Sequence, residues 1–427
     1  MGRVVPAIHA VGYPVVLPSQ TRTDRALANI VFTWELGSGL GHVGPFYPIA
    51  QQLIERGHRI TLLVRDRKRT ERLFHDLPVQ IIDAPLKPEL NIERITPPVT
   101  LTDILYNQGW CDLTVLSAQV SQWSDKIRAC QPDLLIADHS PTALLAAREF
   151  DIPRIHIGTG FTCPPDISPL PPMCSWRTAE PEVIVKREQA MVGVVNQVLE
   201  KRGLSTIDSM AQIFNQVDHL FLATFAELDH YPQRTVSNYI GTWPFLPREN
   251  LSSSANLWPP GDGPKVFAYL KPSPSIGHLL DWLAKQKLPT LVVGDGLNID
   301  ALVKVSNSTI RFSRTPVDLS EVGQQCSVAI ANGTHGTTCS LLLTGTPILQ
   351  LPRNLEQTIT AVNTVKLGAG LDADINNPQQ IIRQLSGLLS DEKYQKAARQ
   401  FAEKYQEHSA EQRIAEVVSV LQSAIHN

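Results

Sequence analysis

Three short segments of this chain carry residues whose types and spacing could do chemistry. The first is Gly37-Ser38-Gly39-Leu40-Gly41-His42-Val43-Gly44-Pro45, set between an apolar run and a helix-like segment. Glycines let backbone come close to a ligand, and the N-terminus of the helix that follows favours negative charge. An imidazole at such a strand-to-helix corner titrates near neutrality and can accept a proton, which makes His42 a candidate base, with a helix-capping histidine as the alternative. Gly39, Gly41 and Gly44 also satisfy GxGxxG, and Asp66 stands near where a ribose-binding acid would be, so a dinucleotide site is a second alternative.

The second segment is Asn332-Gly333-Thr334-His335-Gly336-Thr337-Thr338. Its small residues expose successive backbone N–H groups and its threonines add hydroxyl donors, a combination suited to a diphosphate. The spacing GxxxxGK[ST] is absent, which removes the main support for an ATPase. A tight turn without a ligand is the alternative. In the third segment, Pro352-Arg353-Asn354-Leu355-Glu356-Gln357, an acid followed by an amide could bind several hydroxyls at once, as a sugar requires, although surface loops of this composition are commonplace.

The elements that must position these segments alternate between strand and helix. Ile30-Val31-Phe32, the helical spacing of Pro45 to Arg56 and the run Arg59 to Val64 make a βαβ unit, and the pattern recurs at Asp133 to Ala137, Pro141 to Phe150 and Pro153 to Ile157. It restarts after residue 264 with runs at Val266 to Leu270, Pro289 to Gly294 and Val328 to Ala331 and a helix over Thr337 to Leu343. Such alternation implies parallel sheets covered by helices. The spacing predicts an extension at 1–28, an N-terminal domain at 29–240, a proline- and glycine-rich linker at 241–264 and a C-terminal domain at 265–427. The charged helical stretch from Asp391 to Ile425 should pack across a surface, with the C-terminal helix expected to pack back across the domains.

Composition narrows the function classes. With 43% hydrophobic and 19% charged residues the 427-residue chain is an ordinary globular protein large enough for two domains. Lys plus Arg total 38 against 41 acidic residues, so no basic field points to nucleic acid. Six scattered cysteines show no metal-ligand spacing and are too few for a disulfide scaffold. No run is long and apolar enough to span a bilayer and no signal-like segment opens the chain, so a cytoplasmic protein is expected.

Taken in order, Gly41-His42-Val43-Gly44-Pro45, Arg56-Gly57-His58-Arg59-Ile60-Thr61, Phe221 to Asp229, and the run from Cys326 through Gly336-Thr337-Thr338, Gly345-Thr346-Pro347, Glu356-Gln357 and Leu367 to Gly370 resemble the nucleotide-sugar-dependent glycosyltransferases of the GT-B fold. The resemblance is to the family of bacterial macrolide and other antibiotic glycosyltransferases and of UDP-glycosyltransferases. It implies an α/β architecture of two doubly wound, Rossmann-like domains facing a central cleft. It further implies an inverting, metal-independent transfer from a UDP- or dTDP-sugar to a small-molecule acceptor of natural-product type, with no bound cofactor. His42 would be the base and Asp138 the carboxylate that orients it, with a helix N-cap as the alternative for Asp138. Ser273, Thr159, Asn332, Gly333, His335, Gly336, Thr337, Thr338, Glu356 and Gln357 would surround the donor. The family's first phosphate-turn histidine is replaced by Asn332, and the ribose-binding glutamate of its plant members by Ser340. A sugar-nucleotide epimerase and a non-catalytic protein of the same fold are the rival expectations.

Overall fold

Short runs rich in β-branched and aliphatic residues, such as NIVFTW and RITLLV, become strands buried almost throughout, as parallel sheets covered on both faces require. The computed structural model describes residues 27–86, 89–235, 238–244, 258–305 and 308–426. The extension expected at 1–28 lies outside them up to residue 26, and so do residues 245–257 of the expected linker.

The first sheet holds β1 (Asn29–Trp34), β2 (Arg59–Val64), β3 (Gln80–Asp83), β4 (Leu134–Asp138), β5 (Arg154–Gly158) and β6 (His219–Leu222), in the order β3-β2-β1-β4-β5-β6. The second holds β7 (Val266–Leu270), β8 (Thr290–Gly294), β9 (Ile310–Ser313), β10 (Val328–Ala331), β11 (Ile348–Gln350) and β12 (Gly370–Asp372), in the order β12-β11-β10-β7-β8-β9. The pairings are parallel. Each chain path starts mid-sheet, runs out to one edge and crosses to the other side, which is the doubly wound architecture expected. Its consequence is a crevice at the carboxyl ends of the strands where the direction reverses, between β1 and β4 and again between β7 and β10.

The helices that matter below are α1 (Phe46–Glu55), α2 (Pro141–Ala146), α3 (Pro181–Glu200), α4 (Ile276–Lys285), α5 (His335–Leu343), α6 (Leu355–Lys366), α7 (Glu392–Lys404) and α8 (Ala410–His426). Successive residues of β1 point to opposite faces, so Ile30, Phe32 and Trp34 join one apolar cluster and Val31 the other. The stretch expected to be one charged C-terminal helix is broken into α7 and α8. The break is anchored where Tyr405 donates to Glu227 (2.7 Å) and His408 Nε2 donates to the carbonyl of Thr242 (2.7 Å). Beyond it, Ile414, Val417 and Leu421 repeat at helical spacing and pack into the same core cluster as Ile30 and Leu53, so the last helix belongs to the core of the first sheet. Among the described residues no helix is long and apolar enough to cross a membrane, and the six cysteines are free thiols.

Candidate active site

Both reversal points carry predicted residues. β1 ends at Trp34, paired in register with Asp138 at the end of β4. The glycine-rich turn then rises and brings His42 Nδ1 to 3.0 Å from Asp138 Oδ1, with both side chains buried. A carboxylate only accepts, so Nδ1 carries the proton and Nε2 is left as the basic atom. The capping alternatives fall away. Pro45 caps α1 and Ser140 caps α2, neither through its side chain, and Glu35 takes both the N–H (2.8 Å) and the hydroxyl (2.6 Å) of Thr142. Glu35 thereby ties the loop after β1 to the helix after β4. Asp66, the acid of the dinucleotide alternative, instead caps the helix Arg67–Leu73, accepting from the N–H of Arg69 at 3.1 Å.

Burial works to lower the pKa of His42, and the charge of Arg65 acts in the same sense. The charge and hydrogen bond of Asp138, together with the charge of Glu356 from the other domain, outweigh them and raise it above 6.5. Burial raises the Asp138 carboxyl in turn, against the lowering influence of His42. The half-buried Glu356 is raised chiefly by desolvation, with His42 opposing. A carboxylate from each domain therefore bears on one imidazole.

Residues that the motif reading does not single out complete this centre. Gly37 has φ +79°, and a side chain there would place its Cβ 2.3 Å from His42 Nε2, so only glycine leaves that nitrogen open. The rings of Trp34 and His139 lie 5.9 and 5.0 Å from that of His42. The one sequence signal for His139 is its place directly after Asp138, a second titratable group at the same strand end.

On the other side of the cleft the loops after β7 and β10 meet. Ser273, Ser275 and Asn332 line one recess, and Arg353 Nη1 donates to the carbonyl of Pro272 at 2.8 Å. Several donors expected to face a diphosphate have other acceptors, which corrects the reading of those residues. The amide of Asn332, 1% exposed, donates to the carbonyl of Tyr269 at 2.9 Å. The N–H of Gly333 donates to Gln350 Oε1 at 2.9 Å, and the Thr338 hydroxyl donates to the carbonyl of Thr334 (3.0 Å) while accepting from Gln350 Nε2 (3.1 Å). His335 is the first residue of α5, two positions earlier than the predicted helix start. Its ring is buried, with Nε2 3.5 Å from the Cys339 sulfur and the ring of His230 5.8 Å away. Burial lowers its pKa to about 4, so it is neutral at pH 7 and cannot act as a cationic phosphate ligand.

What stays open is the first turn of α5. Thr338 N–H is the first to bond within it, to the carbonyl of Thr334 at 3.0 Å, and among the described residues the N–H groups of Gly336 and Thr337 have no acceptor. Ser340, a turn further on, donates to the carbonyl of Gly336 at 2.9 Å. Glu356 and Gln357 sit in the first turn of α6, whose cap Asn354 accepts from Gln357 N–H at 3.0 Å. Gln357 Oε1 accepts from Arg353 N–H at 2.9 Å, leaving its Nε2 as the outward donor. The turns lock together at Gly333 (φ +70°), where a Cβ would lie 2.5 Å from the carbonyl oxygen of Gln357. Thr159 follows β5; among the described residues its buried hydroxyl has no hydrogen-bond partner, and no hydrogen bond joins it to His42 or α5.

Gln350 is the fully buried hub of this arrangement, joining Gly333, Thr338 and Thr364 (3.3 Å). Replacing Gln350 with Leu strands the N–H of Gly333, and we expect a loss of about 1–3 kcal/mol in denaturant unfolding. A variant as stable as the wild type would show that the hub is not needed.

No family model matches the chain. A PGL/p-HBAD biosynthesis glycosyltransferase of Mycobacterium tuberculosis (strain ATCC 25177 / H37Ra) is 25% identical over 291 residues, 64% of this chain and 67% of that protein. Among solved structures, glycosyltransferase VinC in complex with dTDP is similar with a TM-score of 0.65 at 16% identity, over 93% of this chain and 99% of its own. CalG4, the calicheamicin glycosyltransferase, gives 0.62 at 15% identity over 94% and 99%. Spinosyn rhamnosyltransferase SpnG complexed with spinosyn aglycone gives 0.59 at 15% over 91% and 99%. At these identities the likeness is one of fold. With two doubly wound sheets and a cleft between their reversal points, the chain has the GT-B fold and resembles in it the antibiotic glycosyltransferases.

Proposed function

We propose that the protein is a glycosyltransferase that moves a sugar from a nucleoside-diphosphate sugar to a small-molecule acceptor of natural-product type, with inversion. The observation that carries this is the buried His42–Asp138 pair at one reversal point, with Glu356 of the facing domain close enough to help raise its pKa. His42 Nε2 takes the proton of the acceptor hydroxyl as its oxygen attacks the anomeric carbon, and Asp138 stabilises the imidazolium that forms. The nucleoside diphosphate leaves from the opposite face, which is why the anomeric centre inverts. Its growing charge meets the open N–H groups of Gly336 and Thr337 at the positive end of α5. Glu356 and the outward Nε2 of Gln357 are the partners for the sugar hydroxyls. Similar structures hold dTDP or an aglycone, which supports a pyrimidine diphosphate, UDP or dTDP, and a hydroxyl-bearing aglycone here.

Thermal-shift measurements with UDP, dTDP, GDP and NAD test the donor half. A ligand present at about 100 times its dissociation constant adds about 2.7 kcal/mol to folding stability. We expect UDP or dTDP to raise the melting temperature. Stabilisation by NAD alone, or by none of the four, would contradict the reading.

A further inference from the structure

We propose that His139 is a positioning residue for this reaction: its ring holds the imidazole of His42 with Nδ1 on Asp138 and Nε2 toward the acceptor. The inference rests on His42 being the base.

The backbone of His139 lies at φ +46°. A residue with a Cβ avoids this left-handed region, and departures of this kind concentrate at functional sites. The main-chain part of its work is to accept the N–H of Leu36 at 2.9 Å, which ties together the loops after β1 and β4. Glycine or asparagine could do that with less strain. The histidine is therefore kept for its ring, which is buried with the residue at 7% exposure.

That ring stands 5.0 Å from His42 at 48° and packs edge-on at 5.9 Å against Phe161. Its Nδ1 would be 3.0 Å from a Cβ on Gly37, so His139 and His42 both close on the same glycine. Trp34 is a second aromatic neighbour, its ring 5.9 Å from that of His42 at 31°, and is itself fixed by donating to the carbonyl of Leu36 at 2.6 Å. The charged groups that bear on His42 are Asp138, Glu356 and Arg65, and of these only Asp138 bonds to its ring. A single hydrogen bond leaves an imidazole free to swing about it, and a ring flip would put Cδ2 where Nδ1 stands and Cε1 where Nε2 stands. Two packed aromatic rings around a buried imidazole restrict that freedom, as a catalytic group needs its neighbours to do.

His139→Gly separates the two roles, because it relieves the backbone and deletes the ring. The expected result is an unchanged or higher melting temperature with kcat lower by about 10- to 100-fold and donor KM within about twofold of wild type. The Nδ1 proton of His42 should be visible by NMR in the wild type and lost in Asp138→Asn, and in His139→Gly it is expected to disappear into solvent exchange. His139→Phe keeps a ring and removes its nitrogens, and should retain the resonance and most of kcat. The proposal is overturned by His139→Gly keeping both kcat and the resonance, by melting temperature and kcat falling together, or by His139→Phe being as slow as His139→Gly. The resonance needs no substrate. A wild-type chain that transfers no sugar would therefore sink the functional reading while His139 is still tested.

Discussion

His42→Ala is expected to lower kcat by about 10²- to 10⁴-fold, the usual contribution of a positioned general base, while leaving the dissociation constants of UDP and dTDP unchanged. The separation follows from geometry. His42 lies in the turn after β1 and bonds to Asp138 at the end of β4, whereas the open N–H groups proposed for the diphosphate lie in α5 of the other sheet. An alanine at 42 removes the proton acceptor and leaves α5, Gln350 and the α6 turn as they are. Kinetics with a saturating donor, set beside calorimetry with the nucleotide alone, checks both halves. A parallel loss of nucleotide binding would mean that His42 supports the donor site.

Asp138→Asn should be nearly as damaging, with kcat falling about 10²-fold or more, because the amide cannot stabilise the imidazolium as a carboxylate does. It also moves the pH profile in a direction that can be worked out. The base is active when neutral, so kcat/KM rises with pH through the pKa of His42, and in the wild type that acid limb should lie above pH 6.5. Asp138 raises this pKa by its charge and its hydrogen bond, while burial and Arg65 lower it. Removing Asp138 leaves the lowering influences opposed only by Glu356. The limb therefore shifts to lower pH even as the plateau drops. An unmoved limb would show that another group governs it.

The sheets were legible because their strands are short aliphatic runs separated by helical spacing, and burial of those runs is what makes the fold. His42 was legible from its place at the strand-to-helix corner between β1 and α1, where a side chain can face a cleft, whereas Asp138, at the end of β4, came only from the family resemblance. Less readable was which donors around the phosphate turn remain available. The partner of Gly333 and Thr338 is Gln350, a residue without a motif that reaches them across the loop from β11. Pairings of that kind depend on the register of β11 against β10 and on how the helix between them packs, which no local motif shows. His335 looked like a loop residue because it sits among glycine and threonine, but α5 begins at it and turns its ring toward His230 of the first domain. The broken C-terminal helix had the same cause, since its anchors Glu227 and Thr242 lie more than 160 residues away.

The central claim is that His42 drives a direct displacement at the anomeric carbon. Its most direct test is the anomeric configuration of the glycoside, read by NMR from wild-type protein given an α-linked UDP- or dTDP-sugar and a hydroxyl-bearing aglycone. The account predicts a β-linked product that forms with release of the nucleoside diphosphate and fails to form with His42→Ala. A product that keeps the donor's α configuration would contradict it.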